Sequence, residues 1–265
     1  MSPRTKKLTD SRVSDADRAR FARLCTEAAR SRRSEGDGGF GTLAKKRMHA
    51  VIKRYICPNE DFHEVGMRDT RFISDVRIGD SIYEVQSGAF YPMKKKIGYY
   101  MSKTDCTVTV VHPIVVNKWI VSIDPATGEC APRKKSPKHE SPKDLLAELY
   151  PLIEHLPSPR LRFRLLLIDA EEYRVANARR HRGRLLPQKY ELMPLSLLDV
   201  REFSSPEDFR AFLPPDLPSP FTVKDFSRAT GIRGRNAYSA VRVLAALGLL
   251  SPAPPIGRAM AFEMN

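Results

Sequence analysis

Asp75-Val76-Arg77-Ile78-Gly79-Asp80-Ser81-Ile82-Tyr83-Glu84-Val85-Gln86 is two apolar-alternating runs on either side of a Gly-Asp pair. Gly-Asp between such runs is a two-residue hairpin turn. Pairing then proceeds outward from it: 78 with 81, 77 with 82, 76 with 83, and 75 with 84. Asp75 comes to lie across from Glu84. Strand side chains alternate, so Gln86 shares the face of Glu84 while Val85 points to the other.

Outward from the hairpin, helix and strand alternate. On its N-terminal side a helix is expected from about Leu43 to Tyr55, then a short strand around Val65, with the hairpin strands at Phe72–Ile78 and Ile82–Val85. On its C-terminal side the patterns predict a helix over Phe90–Met101 and strands at Thr107–Ile114 and Trp119–Ile123. The turn Asp124-Pro-Ala-Thr-Gly follows, then a helix near Asp144–His155 and a strand at Leu161–Asp169. These elements predict an α/β core over residues 39–170. Residues 1–38 read as a basic, loosely attached arm containing a helix at Asp15–Arg30. Residues 171–215 read as a charged, proline-punctuated connection.

Residues 216–265 are expected to form a small separate domain. Thr222 and Asp225 have capping-box spacing, and Gly231 ends the first helix. A second helix from about Asn236 to Leu247 would turn Ala237, Tyr238, Val241, Leu244 and Leu247 inward, with Gly248 as its stop. Arg258–Glu263 offers a returning strand. The arrangement looks like a helix-turn-helix of the winged-helix kind. Its DNA contacts would be Arg228, Arg233, Arg235, Asn236 and Arg242, since a recognition helix presents its N-terminal end to DNA. Docking of another protein is the competing use of such a module.

Composition narrows the function classes. A formal charge of +14 and a pI near 9.8 favour a polyanionic partner, with nucleic acid ahead of anionic lipid because no basic amphipathic helix stands out. No secretory signal and no membrane-length apolar run is legible, so a cytoplasmic location without membrane contact is expected. Cys25, Cys57, Cys106 and Cys130 form no C-x-x-C pair and read as reduced thiols.

Chemistry concentrates in the hairpin. Opposed carboxylates repel across strands, and a divalent cation between them removes that penalty. Mg²⁺ suits such a site, because it keeps several waters and takes one or two carboxylates together with a substrate phosphate. An Asp followed by E-x-K or E-x-Q arises about once in a chain of this size by chance, so the weight rests on placement within strand, turn, strand and basic helix. A solvated hairpin with ordinary polar residues is the plain alternative.

Asp75 with Glu84-Val85-Gln86 resembles the active-site hairpin of the PD-(D/E)XK nuclease superfamily, in the variant where glutamine stands in the usual lysine's place. The resemblance covers roughly residues 40–170. It implies a restriction-endonuclease-like core, a mixed central sheet flanked by helices. It further implies Mg²⁺-dependent DNA cleavage with Mn²⁺ as a substitute. Asp75, Glu84 and the Val85 carbonyl would be metal ligands, with Glu64 as a further acidic ligand. Gln86 can orient a water but cannot carry charge. Lys94, Lys95 and Lys96 follow on the next helix: Lys96 is the expected replacement for the missing lysine, and Lys94 and Lys95 are expected on the DNA backbone. His49 and His112 read as surface and core histidines. Cutting both strands suggests a homodimer, although no interface is legible. A catalytically silent DNA-binding regulator on the same fold is the rival reading, and an RNA-directed protein is a second.

Overall fold

The computed structural model of the protein describes residues 13–34, 46–67, 70–181 and 184–265, without the side chains of 32–34, 46 and 177–181. Leu43 and residues 1–12 and 35–45 therefore lie outside the described residues. The chain is α/β, with a seven-stranded mixed sheet flanked by helices. In chain order the first elements are α1 (Asp15–Ser34), α2 (Lys46–Ile56), β1 (His63–Gly66), β2 (Ile73–Ile78), β3 (Ser81–Val85), α3 (Lys94–Lys103), β4 (Thr107–Ile123) and β5 (Lys134–Lys135). Then come α4 (Leu145–Glu148), β6 (Leu161–His181), β7 (Arg184–Phe203), β8 (Phe221–Thr222), α5 (Val223–Thr230), α6 (Arg235–Ala246), β9 (Leu250–Ile256) and β10 (Ala259–Met264).

The main sheet runs β1-β2-β3-β4-β6-β7, with β5 paired to β4. The pairs β3–β4 and β4–β6 are parallel and the others antiparallel. Strand alternation divides the core in two. Val110 and Ile114 face α3, α4 and the C-terminal helices, whereas Val111 and Val115 face α1 and α2.

Three expectations need correction. The N-terminal helix is no loose arm. Phe21 is wholly buried between α2 and the sheet, edge-on to Tyr55, and Cys25 lies beside it with burial raising its thiol pKa to about 12. The expected pair of strands at Thr107–Ile114 and Trp119–Ile123 is one strand of 17 residues. Pro113 does not break it, because the N–H it lacks would point toward β3, which has already ended at Val85. Residues 171–203 are not a connection. They complete a long hairpin of 21- and 20-residue strands, whose register shifts at four places absorb its irregular apolar pattern.

The C-terminal segment shares its core with the sheet. Phe226, Ala237, Val241 and Leu244 lie in the same buried cluster as Leu145, Leu149 and Ile97. Its strands form a second sheet in the order β8-β10-β9. Among the described residues, no helix is long and apolar enough to cross a membrane.

Candidate functional site

The turn at Gly79-Asp80 forms as the sequence dictates, with Gly79 supplying a left-handed φ of 57°. The ladder pairs Ile78 with Ser81, Arg77 with Ile82 and Val76 with Tyr83, and there it stops. Asp75 and Glu84 therefore do not form the expected ladder pair. In a continued ladder the Val85 N–H would reach the Ser74 carbonyl. Instead it donates to Asp75 Oδ2 at 2.7 Å, while the Ser74 hydroxyl donates to the Val65 carbonyl of β1 at 3.0 Å. The Asp75 carboxylate thus ties β2 to the backbone beside Glu84.

Glu84 is 3% exposed, and both its oxygens are engaged from α3. Lys96 Nζ lies 2.5 Å from Oε2, and the Tyr100 hydroxyl donates to Oε1 at 2.8 Å. Lys96 and Tyr100 are one helical turn apart, so a single face of α3 presents both. Arg160 holds the end of that helix by donating to the Met101 and Thr104 carbonyls at 2.7 and 2.6 Å. Burial pushes the Glu84 carboxyl up to about 7. Lys96 draws it down, Asp75 raises it, and the hydrogen bonds from Lys96 and Tyr100 lower it. Burial and the Glu84 charge together raise the Tyr100 phenol, which stays protonated and donating.

Gln86 directs its amide N–H to the Ala89 carbonyl at 2.5 Å, which closes the turn after β3 and fixes the amide plane. Its main-chain N–H donates to Val111 O, as the parallel ladder requires. Its main-chain carbonyl would ordinarily accept from residue 113, but Pro113 has no N–H. His112 Nδ1 donates to it instead. Burial lowers the pKa of His112, favouring the neutral ring with its proton on Nδ1. His49, on α2, comes within 3.2 Å of Ser87 Oγ and so adjoins the same loop.

The fold brings Asp75, Glu84, Gln86 and Lys96 together and leaves other expected residues apart. Glu64 pairs with Lys53 of α2 at 2.8 Å, on the opposite face of the sheet from α3. Its φ of 53° breaks the alternation that would have turned it toward Asp75. Lys94 is 3.5 Å from Glu154, and Lys95 is exposed. Among the described residues, no cluster of three or more His, Cys, Asp or Glu is placed to hold a metal. Asp75 and Glu84 lie near enough for the Asp75 charge to raise the Glu84 carboxyl. Two carboxylates are a donor set of the kind that a hard divalent cation keeping most of its water can use. Tyr100 was missed in the sequence. Its signal was its spacing of four residues from Lys96.

In the C-terminal segment the capping box forms as expected. Asp225 Oδ2 accepts from Thr222 N at 3.0 Å, and Thr222 Oγ1 accepts from Asp225 N at 3.3 Å. Arg228, Arg233, Arg235, Asn236 and Arg242 are all exposed. Tyr238 departs from expectation: it is 42% exposed and lies in one stripe with Arg235 and Arg242. Asn236 lines a cleft of about 310 Å³ with Ser87, His112, Lys143 and Glu148, so the start of α6 adjoins the loop after Gln86.

A family model described as "Domain of unknown function (DUF8091)" matches residues 46–204, from α2 through the end of β7, and the chain belongs to that family. No curated protein and no solved structure matches the chain.

Proposed function

We propose that the protein is a Mg²⁺-dependent DNA endonuclease of the PD-(D/E)XK kind, with a winged-helix-like C-terminal module that engages the same DNA. One observation carries this reading. Lys96 reaches Glu84 from α3 and so restores, beside the acidic pair, the positive charge that Gln86 cannot supply. The order α2, β1, β2, β3, α3, β4, with β3 and β4 parallel, supports a restriction-endonuclease-like core.

Asp75, Glu84 and the Val85 carbonyl would hold the cation. When bound, it would supply Lewis-acid stabilisation of the phosphate and a more acidic water. The chain's own residues have separable tasks. Asp75 ties β2 to β3, and Tyr100 and Lys96 fix both oxygens of Glu84. Gln86, its amide plane set by Ala89, offers its carboxamide oxygen to a water. Lys96 places its ammonium where charge develops on a phosphate. Arg235, Tyr238 and Arg242 form the exposed stripe that would lie on DNA, with Arg228 and Arg233 beside it. A homodimer would supply the two sites that double-strand cleavage calls for, and defence, restriction or DNA processing are the settings such an enzyme suits.

A catalytically silent DNA-binding regulator is the second reading. The commitment of the Gln86 amide to Ala89 favours it. Incubating the full chain with duplex DNA in Mg²⁺ separates the two. New phosphate and hydroxyl ends, absent with Lys96→Met, support the nuclease. A shifted but uncut duplex at every metal tested supports the regulator.

A further inference from the structure

The most one-sided charge in the chain lies away from the carboxylate hairpin, at the far end of β6 and β7. From Tyr173 to Tyr190 the sequence holds Arg174, Arg179, Arg180, Arg182, Arg184 and Lys189, and not one carboxylate. β4 accompanies β6 as far as the pair Ile123–Val175. Beyond it the hairpin continues with Arg179 opposite Leu186, Arg180 opposite Leu185, and His181 opposite Arg184. At roughly 3.3 Å per residue, the ribbon runs on for about 20 Å past Val175.

The register sets leucines, not carboxylates, opposite Arg179 and Arg180, and a two-stranded ribbon has little apolar surface to bury. Leu185, 52% exposed, gains nothing from its position. At the base of the ribbon, Glu172 balances Arg174 and Lys189 at 2.5 and 3.6 Å. Arg180 lies eight residues farther along β6, about 26 Å at strand rise. That is well beyond the screening length of about 8 Å. A polyanion would supply the countercharge that this stretch of the sequence lacks.

We infer that the far end of the β6–β7 ribbon, where the register sets Arg179 and Arg180 on one strand and Arg184 on the other, is a contact for duplex DNA. The shape favours DNA over other polyanions. The major groove of B-form DNA admits a two-stranded ribbon, and the register puts arginine on both strands of this one. The deep, narrow major groove of duplex RNA does not admit side chains in this way. The direction also fits. Glu84 lies level with Val110, and Val110 with Phe163. The parallel strands β4 and β6 then continue past the end of β3, so the ribbon leaves the sheet at the edge where Gln86 lies. The inference rests on charge and topology and stands whether or not the carboxylate hairpin cuts.

The test is binding of a 30-base-pair duplex by the full chain in EDTA, measured by fluorescence anisotropy across a KCl series. Native protein is compared with the triple variants Arg179→Ala/Arg180→Ala/Arg184→Ala and Arg179→Lys/Arg180→Lys/Arg184→Lys. Each lost phosphate contact lowers the salt slope by about 0.9. The alanine variant is therefore expected to bind roughly tenfold or more weaker at physiological salt, with a slope shallower by about 2 to 3. The lysine variant should keep the slope. Unchanged affinity and slope in the alanine variant would overturn the inference. So would duplex RNA competing as well as DNA, or an alanine variant that aggregates while its monomer binds normally, which would make the charges guards of a strand edge. Ribbon-dependent binding by a protein that cuts no substrate would sink the nuclease reading and leave this one standing.

Discussion

The main sheet holds two hairpins of opposite character. β2–β3 is short and presents carboxylates: Asp75 ties the strands together, and Glu84 is buried against Lys96 and Tyr100. β6–β7 is long, and its far end carries arginines with no carboxylate between Tyr173 and Tyr190. Buried acid must be compensated locally, by hydrogen bonds, a cation or protonation. Base at the far end of a ribbon, beyond the other strands of the sheet, can be compensated from outside. On this account the first hairpin does the chemistry and the second holds the polyanion, so the two should fail in different assays.

That separation can be broken in several ways. The largest expected effect is on the first hairpin. Lys96→Met should lower the DNA cleavage rate at saturating DNA roughly 10²–10³-fold, as for loss of one preorganised charge-stabilising group. DNA affinity in EDTA should stay within about twofold of native. The arginine triple variant should show the reverse pattern. If Lys96→Met weakens binding as much as cleavage, the two hairpins are not separate devices. Tyr100→Phe should cost about tenfold, in the range expected for a hydrogen bond to a charged group. It should also move the alkaline rise of activity at low Mg²⁺ to higher pH, because it removes a bond that lowers the Glu84 pKa.

Glu84 also predicts a stability effect with a definite sign. Its pKa is about 7 in the folded chain against an ordinary 4.5. Protonated Glu84 is the form that folding favours, so its contribution is full below about pH 4.5 and is lost as pH rises through about 7. Glu84→Gln lacks this loss. The Tm of Glu84→Gln relative to native should therefore rise between about pH 5 and pH 7 in metal-free buffer, and parallel curves in thermal denaturation would contradict the assignment. The smallest effect belongs to the turn. Gly79→Ala should cost about 1 kcal/mol in urea denaturation, since alanine is strained at a φ of 57°.

The first hairpin was legible because its determinants are local. Gly79-Asp80 sets the turn, the turn sets the register through Val76–Tyr83, and alternation puts Glu84 and Val85 on opposite faces. Helix stops were legible for the same reason: Gly231 and Gly248 take left-handed φ values where the sequence places them. The second hairpin was illegible because its strands carry bulges, polar runs and Pro187 and Pro194, and their pairing depends on contacts distant in the chain. β4 read as two strands because a register shift between Val115 and Asn117 interrupts its alternation. Tyr238 fits an apolar helix pattern by spacing, yet α6 buries Ser239 and leaves Tyr238 beside Arg235 and Arg242. Glu64 has the right position in sequence and the wrong backbone conformation.

The most direct test of the central claim is nicking of supercoiled plasmid in Mg²⁺, Mn²⁺ or EDTA by the native protein, Asp75→Ala and Glu84→Ala. The account predicts metal-dependent nicking by the native protein, none by either variant, and an equal plasmid shift by all three in EDTA. Nicking that persists in both variants, or an equal shift with no nicking in any metal, would contradict it.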